Sequence, residues 1–154
     1  MTWTFHPGDL DSPDVGALLA LHFGSMRGSS PPHACHVLAA DGLRSPGISF
    51  WSLREDWRLL GIGALKELST DHGEVKSMRT ASDALGRGVG TAMLHHIIAE
   101  SRRRGYRRLS LETGSTAPFA AALRLYTREG FEPSGAFGGY PESTFTRFFS
   151  LALA

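Results

Sequence analysis

The stretch Lys76-Ser77-Met78-Arg79-Thr80-Ala81-Ser82-Asp83-Ala84-Leu85-Gly86-Arg87-Gly88-Val89-Gly90-Thr91-Ala92-Met93-Leu94 decides the fold. It reads as the end of a strand, a short loop, glycines at every second position, and the opening of an amphipathic helix. Glycines let the backbone approach a ligand closely, and the first N–H groups of a helix point outward, unpaired, at the positive end of its dipole. Such a junction is an anion site, and the geometry suits a pyrophosphate.

Later in the chain, Leu125-Tyr126-Thr127-Arg128-Glu129-Gly130-Phe131 closes a second helix. The two motifs, in this order, resemble those of the GCN5-related N-acetyltransferases, whose cofactor motif runs Gln/Arg-x-x-Gly-x-Gly/Ala between a strand and a helix. The resemblance covers roughly residues 48 to 154. It is closest to a small bacterial subgroup with Lys-Ser-Met-Arg-Thr on one strand and Leu-Glu-Thr-Gly on the next. It implies an α/β fold, with a central mixed twisted sheet of about six to seven strands flanked by about four helices. It also implies transfer of an acetyl group from acetyl-CoA directly to an amine, with no metal.

Composition is consistent with that reading. A chain of 154 residues with 42% hydrophobic content suits one domain, taken here as 1–154. A formal net charge of +1 supplies no general field for nucleic acid or an anionic membrane, so neither is an expected partner. No run approaches the ~18 apolar residues of a membrane helix, and Met1-Thr2-Trp3-Thr4-Phe5-His6-Pro7 lacks the layout of a signal peptide. The single cysteine, Cys35, agrees with a reducing compartment, and a cytoplasmic location is expected.

Trp3-Thr4-Phe5 forms a short first strand, and Asp11-Ser12-Pro13 starts a helix running to about Met26, with Val15, Leu18, Leu19 and Leu21 as its apolar residues. A loop at 27–32 leads to a weaker helical turn from His33 to Ala40 and a break at Asp41-Gly42. From Ile48 the period becomes two, predicting a hairpin through the turn Arg54-Glu55-Asp56 into Arg58 to Lys66, with Gly61 and Gly63 as weak points or bulges. A turn at Asp71-His72-Gly73 leads into a strand from Glu74 to Thr80. The helix after the loop carries Val89, Met93, Leu94, Ile97 and Ile98 on one face and stops at Gly105. Arg107 to Glu112 is the next strand, reached by a right-handed crossover. Ala120 to Arg128 is a further helix, and Phe131 with Thr144 to Leu153 supplies closing strands.

Acetyl transfer to an amine needs an oriented carbonyl, a donor for the oxyanion, a proton for the thiolate and a base for the amine. By the resemblance, the pyrophosphate lies on the N–H groups of Gly86, Arg87, Gly88, Val89, Gly90 and Thr91, and the pantetheine arm lies beside Met78, Arg79 and Thr80. The oxyanion meets a backbone N–H near Met78. Tyr126 is the expected general acid, and an ordinary phenol of pKa about 10 protonates a thiolate of about 8.5 only modestly uphill. Glu74 holds the place of the carboxylate base in histone-acetylating members; a surface carboxylate at a turn is the alternative, and Glu67 and His72 flank the same turn. Two positions depart from the family pattern: Leu85 replaces Gln or Arg before the first glycine, and Phe119 replaces an asparagine of the later helix. Arg87 and Arg128 lie near the motifs and are candidates for cofactor phosphates.

The acceptor is expected to be a small molecule carrying an amine, held between the N-terminal segment and the closing strands by Arg27, His36 and Tyr140, the last on the glycine-rich turn Gly135 to Pro141. Exposed closing strands with Phe145, Phe148 and Phe149 are compatible with a homodimer. The five arginines of 102–108 read as a solvated helix end. Metal ligation is not expected, because His33, Cys35 and His36 lack a spaced partner and the adjacent His95 and His96 on a helix point apart. A catalytically silent acyl-CoA-binding or sensor domain would keep the glycine loop without needing Glu74 or Tyr126, and turnover separates the two. A nicotinamide site is disfavoured by Gly-x-Gly-x-Gly in place of Gly-x-Gly-x-x-Gly.

Overall fold

The computed structural model describes residues 2–31 and 41–153. Within them the chain forms β1 (Trp3–Pro7), α1 (Pro13–Ser29), β2 (Ile48–Glu55), β3 (Arg58–Ser69), β4 (His72–Thr80), α2 (Val89–Arg103), β5 (Arg108–Gly114), α3 (Ala120–Arg128), β6 (Glu132–Ser134) and β7 (Thr146–Ala152). Short 3-10 turns lie at Gly42–Arg44, Ser82–Ala84 and Ala117–Phe119. The expected order of elements is present. The described residues hold three α-helices rather than about four, and the helical turn expected at 33–40 lies outside them.

All strands join one sheet in the order β1-β2-β3-β4-β5-β7-β6. The first four are antiparallel, β4 and β5 are parallel, and β7 inserts antiparallel between β5 and β6. The parallel pair is the one that requires a crossover, and α2 supplies it.

Helix α2 buries Val89, Met93, Leu94, Ile97 and Ile98 against one face of the sheet. It can lie close because β3 carries glycines where side chains would collide with it. A Cβ at Gly61 would come within 2.7 Å of Val89 Cγ1, and one at Gly63 within 2.6 Å of Met93 Cγ. The register also shifts beside both glycines, as the sequence suggested, so they serve irregular pairing and close packing together.

The opposite face receives α1 through Val15, Leu18 and Leu19, packed on Phe50, Ile62 and Ala64. Leu21, expected in that apolar stripe, is 53% exposed, and His22 takes the inward position one residue on. Spacing explains the exchange, since 15, 18, 19 and 22 fall on one helical face and 21 does not. Arg54 on β2 pins the start of this helix, with Nη2 at 2.9 Å from Asp9 and Nη1 at 2.7 Å from Asp14. Phe148 and Phe149 are buried within the chain, and Phe145, half-buried, packs edge-on against Phe119.

Candidate active site

Strands β4 and β5 pair only at His72, Gly73 and Glu74, opposite Arg108, Leu109 and Ser110, and then diverge. Where they separate, β4 also loses register with β3. Lys76 faces Ala64 and Arg79 faces Ile62, which leaves Ser77 and Met78 together opposite Gly63. Ser77 has φ 54°, a left-handed backbone that a non-glycine residue adopts only at a cost, and it marks a β-bulge. Splay and bulge together open a cavity of about 160 Å³. Its walls include His22 of α1, Glu74, Ser77 and Met78 of β4, Glu112 of β5 and Tyr126 of α3.

At the other end of β4 lies the glycine loop. Gly86 and Gly88 have φ 78° and 83°, and Gly88 caps α2 in the left-handed region. A Cβ at either would meet no protein atom within 4 Å, so both positions border open space. A depression of about 230 Å³ forms there, walled by Gly86, Gly88, Gly90 and Thr91 and by Arg124 and Arg128 of α3. A groove of about 200 Å³ follows. It shares Thr80, Val89 and Gly90 with the depression and Met78 and Tyr126 with the cavity. A continuous trough therefore runs from the helix N-terminus to the point where the strands splay.

Most of the residues expected at a cofactor line this trough, though not all by their side chains. Met78, Arg79 and Thr80 wall the groove, and Leu85, 68% exposed, edges the depression. The Val89 side chain is buried in the core, so only its backbone is available there. Arg128 donates to Thr91 Oγ1 at 2.9 Å beside the depression. Arg87 turns away, pairing with Glu55 at 2.9 Å and stacking over Trp3, so its charge is not aimed at the loop. Phe119 is buried against Phe145 in the cavity wall instead of along the groove. Arg124 was missed by sequence reading; only its place on the same face of α3 as Arg128, four residues on, signals it.

Tyr126 stands at the junction of groove and cavity, and burial pushes its phenol up to about 12. It is protonated throughout the physiological range and able to donate. Glu74 also borders the cavity, but the residue is 0% exposed and its carboxylate is engaged. Oε2 accepts from Lys76 Nζ at 3.3 Å, and Oε1 accepts from the Tyr140 hydroxyl at 3.1 Å. Burial raises its pKa, Lys76 and Tyr140 pull it back, and the Glu112 charge raises it further. Tyr140 is therefore engaged with Glu74 and is not part of the cavity wall. With a further contact to Lys76 at 2.9 Å, it anchors the 135–141 loop to the sheet, and burial followed by the Glu74 charge raises its pKa.

Arg27 is exposed, sits over the Phe23 ring and is not in the cavity wall; Met26 and Ser30 are. His36 lies outside the described residues. Glu67 accepts from the Tyr106 hydroxyl and His72 bonds Ser110, and neither lines the cavity. His95 bonds Glu129 while His96 stacks on Phe5, so these neighbours do point apart.

His22 was overlooked. It is 6% exposed and lines the cavity, and its Nδ1 is buried with no hydrogen-bond partner among the described residues. Burial first, then the nearby Arg79 charge, lowers its pKa to about 4, so the imidazole is neutral. The sequence did hold a signal, a histidine at the fourth position of the 15, 18, 19, 22 stripe.

A mixed sheet splayed beside the glycine loop of a helix N-terminus, with a trough leading to the half-buried Tyr126, is the architecture of a group-transfer enzyme. The family model described as Acetyltransferase (GNAT) family matches residues 16–131. The chain is 45% identical over 151 residues to the uncharacterized N-acetyltransferase YedL of Escherichia coli, covering 98% of this chain and 95% of that protein. It is 49% identical over 140 residues to the uncharacterized N-acetyltransferase YsnE of Bacillus subtilis, covering 89% and 93%. A putative acyl-CoA N-acyltransferase from Klebsiella pneumoniae has the same fold, with a TM-score of 0.77 at 23% identity over 99% of both chains. So does a GNAT acetyltransferase from Elizabethkingia anophelis solved with acetyl-CoA bound, with a TM-score of 0.70 at 19% identity over 98% of both chains. The chain belongs to the GNAT acetyltransferase family and is an acyltransferase.

Proposed function

We propose that the protein is an acetyl-CoA-dependent N-acetyltransferase acting by direct transfer on the amine of a small molecule. The observation that carries this reading is the continuous trough, with the helix N-terminus and its glycine loop at one end, Tyr126 at the junction and a partly open cavity beyond. The pyrophosphate lies on the N–H groups at the start of α2, the pantetheine arm follows β4, and the thioester reaches the bulge, where a backbone N–H at Met78 meets the carbonyl oxygen. The acetyl-CoA bound to the Elizabethkingia anophelis relative supports the choice of donor.

The acceptor enters from the cavity side. At about 160 Å³ the cavity lies below the roughly 300–1,000 Å³ of pockets that enclose drug-sized ligands, and suits one small amine-bearing group. Attack on the carbonyl displaces the thiolate, which takes the Tyr126 proton. Glu74, held by Lys76 and Tyr140, shapes the cavity floor and its charge rather than reaching the amine directly.

The test incubates the protein with acetyl-CoA and either small primary amines or lysine-containing peptides, with thiol release and mass spectrometry as readouts. Acetylation of small amines is expected, and Tyr126→Phe should lower kcat on the order of 10²-fold with acetyl-CoA affinity intact. Acetylation confined to peptide lysines would refute the acceptor class. Tight CoA binding with no thiol release on any amine would establish the silent binding domain instead.

A further inference from the structure

Three buried side-chain atoms among the described residues have no hydrogen-bond partner: His22 Nδ1, Ser77 Oγ and His96 Nε2. The His96 ring is packed between Phe5 and Trp51, an aromatic setting unrelated to any cavity. His22 and Ser77 are different, because both line the cavity that Tyr126 and Met78 share with the groove. Buried polar atoms are nearly always satisfied, since an unmade bond costs about 1–3 kcal/mol. Two residues with such atoms stand in one cavity wall, one on α1 and one on the bulge of β4, which makes them the candidates for holding a polar group of a ligand.

The surroundings indicate what that group is. The cavity wall holds the carboxylates of Glu74 and Glu112 against the ammonium of Lys76, which is already bonded to Glu74. A second carboxylate would meet like charge there, whereas an amine can donate to every acceptor present.

We propose that His22 and Ser77 bind the acceptor's amino group, and that the His22 imidazole is the base that takes its proton. This rests on the acetyltransferase reading above. In the bound state the imidazole accepts one N–H of the amine and Ser77 Oγ accepts the other. As the C–N bond forms, the nitrogen becomes cationic and passes a proton to His22. Collapse of the tetrahedral intermediate breaks the C–S bond, and the departing thiolate takes the Tyr126 proton. Imidazolium then loses its proton to water and the tyrosinate regains one. The net change is amine and thioester to amide and thiol. The charged and titratable groups around the ring are Glu74, Lys76 and Arg79 of β4, Glu112 of β5, Tyr126 of α3 and, on its own helix, the exposed Arg27. Burial and the Arg79 charge disfavour the imidazolium, so it hands its proton on at once.

The experiment compares wild type with His22→Leu, His22→Ala and Ser77→Ala on small primary amines, after calorimetry has established that each variant binds CoA as the parent does. His22→Leu should lower kcat on the order of 10²-fold or more. Added imidazole should restore part of the His22→Ala activity and none of that lost in Tyr126→Phe, an outcome that a merely structural histidine would not produce. Ser77→Ala should raise KM for the amine more than it lowers kcat. In parallel, NMR of the His22 ring in the wild-type CoA complex should show its resonances shifting on addition of butylamine. A folded, CoA-binding His22→Leu with wild-type kcat/KM overturns the proposal while leaving the acetyltransferase reading intact. Amine binding that leaves the His22 resonances unmoved does the same. Wild type that releases no thiol with any amine overturns both.

Discussion

Lowering the pH should destabilise the protein through His22 by an amount that can be worked out. The folded protein holds this imidazole neutral to about 4, against an ordinary value of 6.5, because it is buried and faces the Arg79 charge. Between those two values the unfolded chain carries a proton that the folded chain does not. Stability therefore rises with pH in this window, and falls as pH drops from 6.5 towards 4. At 1.36 kcal/mol per pKa unit, the loss from this one residue is roughly 2 kcal/mol at pH 5 and roughly 3 kcal/mol at pH 4, and it saturates below that.

Urea unfolding at a series of pH values, for wild type and for His22→Leu, isolates the effect. Other groups also titrate: Asp9, Asp14 and Glu100 have lowered pKa values and lose their contribution at lower pH, while Glu74 is raised by burial and acts in the opposite sense. These are common to both proteins and cancel in the difference. The stability gap between variant and wild type should widen in favour of His22→Leu by roughly 3 kcal/mol from pH 7.5 to pH 4. A gap that stays constant over that range would mean that the histidine titrates normally in the folded state, and the account of its burial would be wrong.

At the glycine loop, Gly88→Val places a branched side chain at φ 83°, facing open space where the donor's phosphates are expected. It should weaken CoA binding by at least ~1.4 kcal/mol, or tenfold, in calorimetry, and unchanged affinity in the folded variant would put the site elsewhere. In the sheet, Gly63→Val drives its Cβ into Met93 and Ile97 at 2.6 and 3.1 Å. Overpacking of this kind costs about 1–3 kcal/mol, so thermal unfolding should shift down by several degrees, and an unshifted midpoint would mean that α2 is free to move away from β3.

What could be read from the sequence was local. The glycine loop, the strand before it and the helix after it are contiguous, and their periodicities survive folding unchanged. The strand order beyond β5 could not be read in this way, because the insertion of β7 between β5 and β6 depends on pairings between distant residues. The same separation explains the site residues that moved. Arg87 looked like a phosphate ligand by its place in the motif, yet Glu55, far back on β2, claims its charge. Glu74 looked like a free base at a turn until Tyr140, 66 residues later, folded over it. His22 was visible as one more member of a helical stripe. The strand separation that turns its position into a cavity wall has no signature in local periodicity.

On the proposed function, the two halves of the trough are built by different parts of the chain, and that separates donor recognition from acceptor recognition. The donor half is walled by β4, α2 and α3, all within or beside the two motifs. The acceptor half adds His22 and Met26 of α1 with Ser30 at its C-cap, and the start of β7 through Phe145 and Thr146. Helix α1 is held over the sheet by the bonds of Arg54 to Asp9 and Asp14, at its N-terminal end, whereas the cavity residues lie towards its C-terminal end. Met26 of α1 and Ser30 at its C-cap can therefore change without disturbing either the anchor or the glycine loop. Acceptor choice can then diverge while acetyl-CoA binding stays fixed. This is also the physical reason that the sequence named the donor more readily than the acceptor. One is bound by backbone geometry that glycines announce, and the other by side chains that meet only after the sheet has closed.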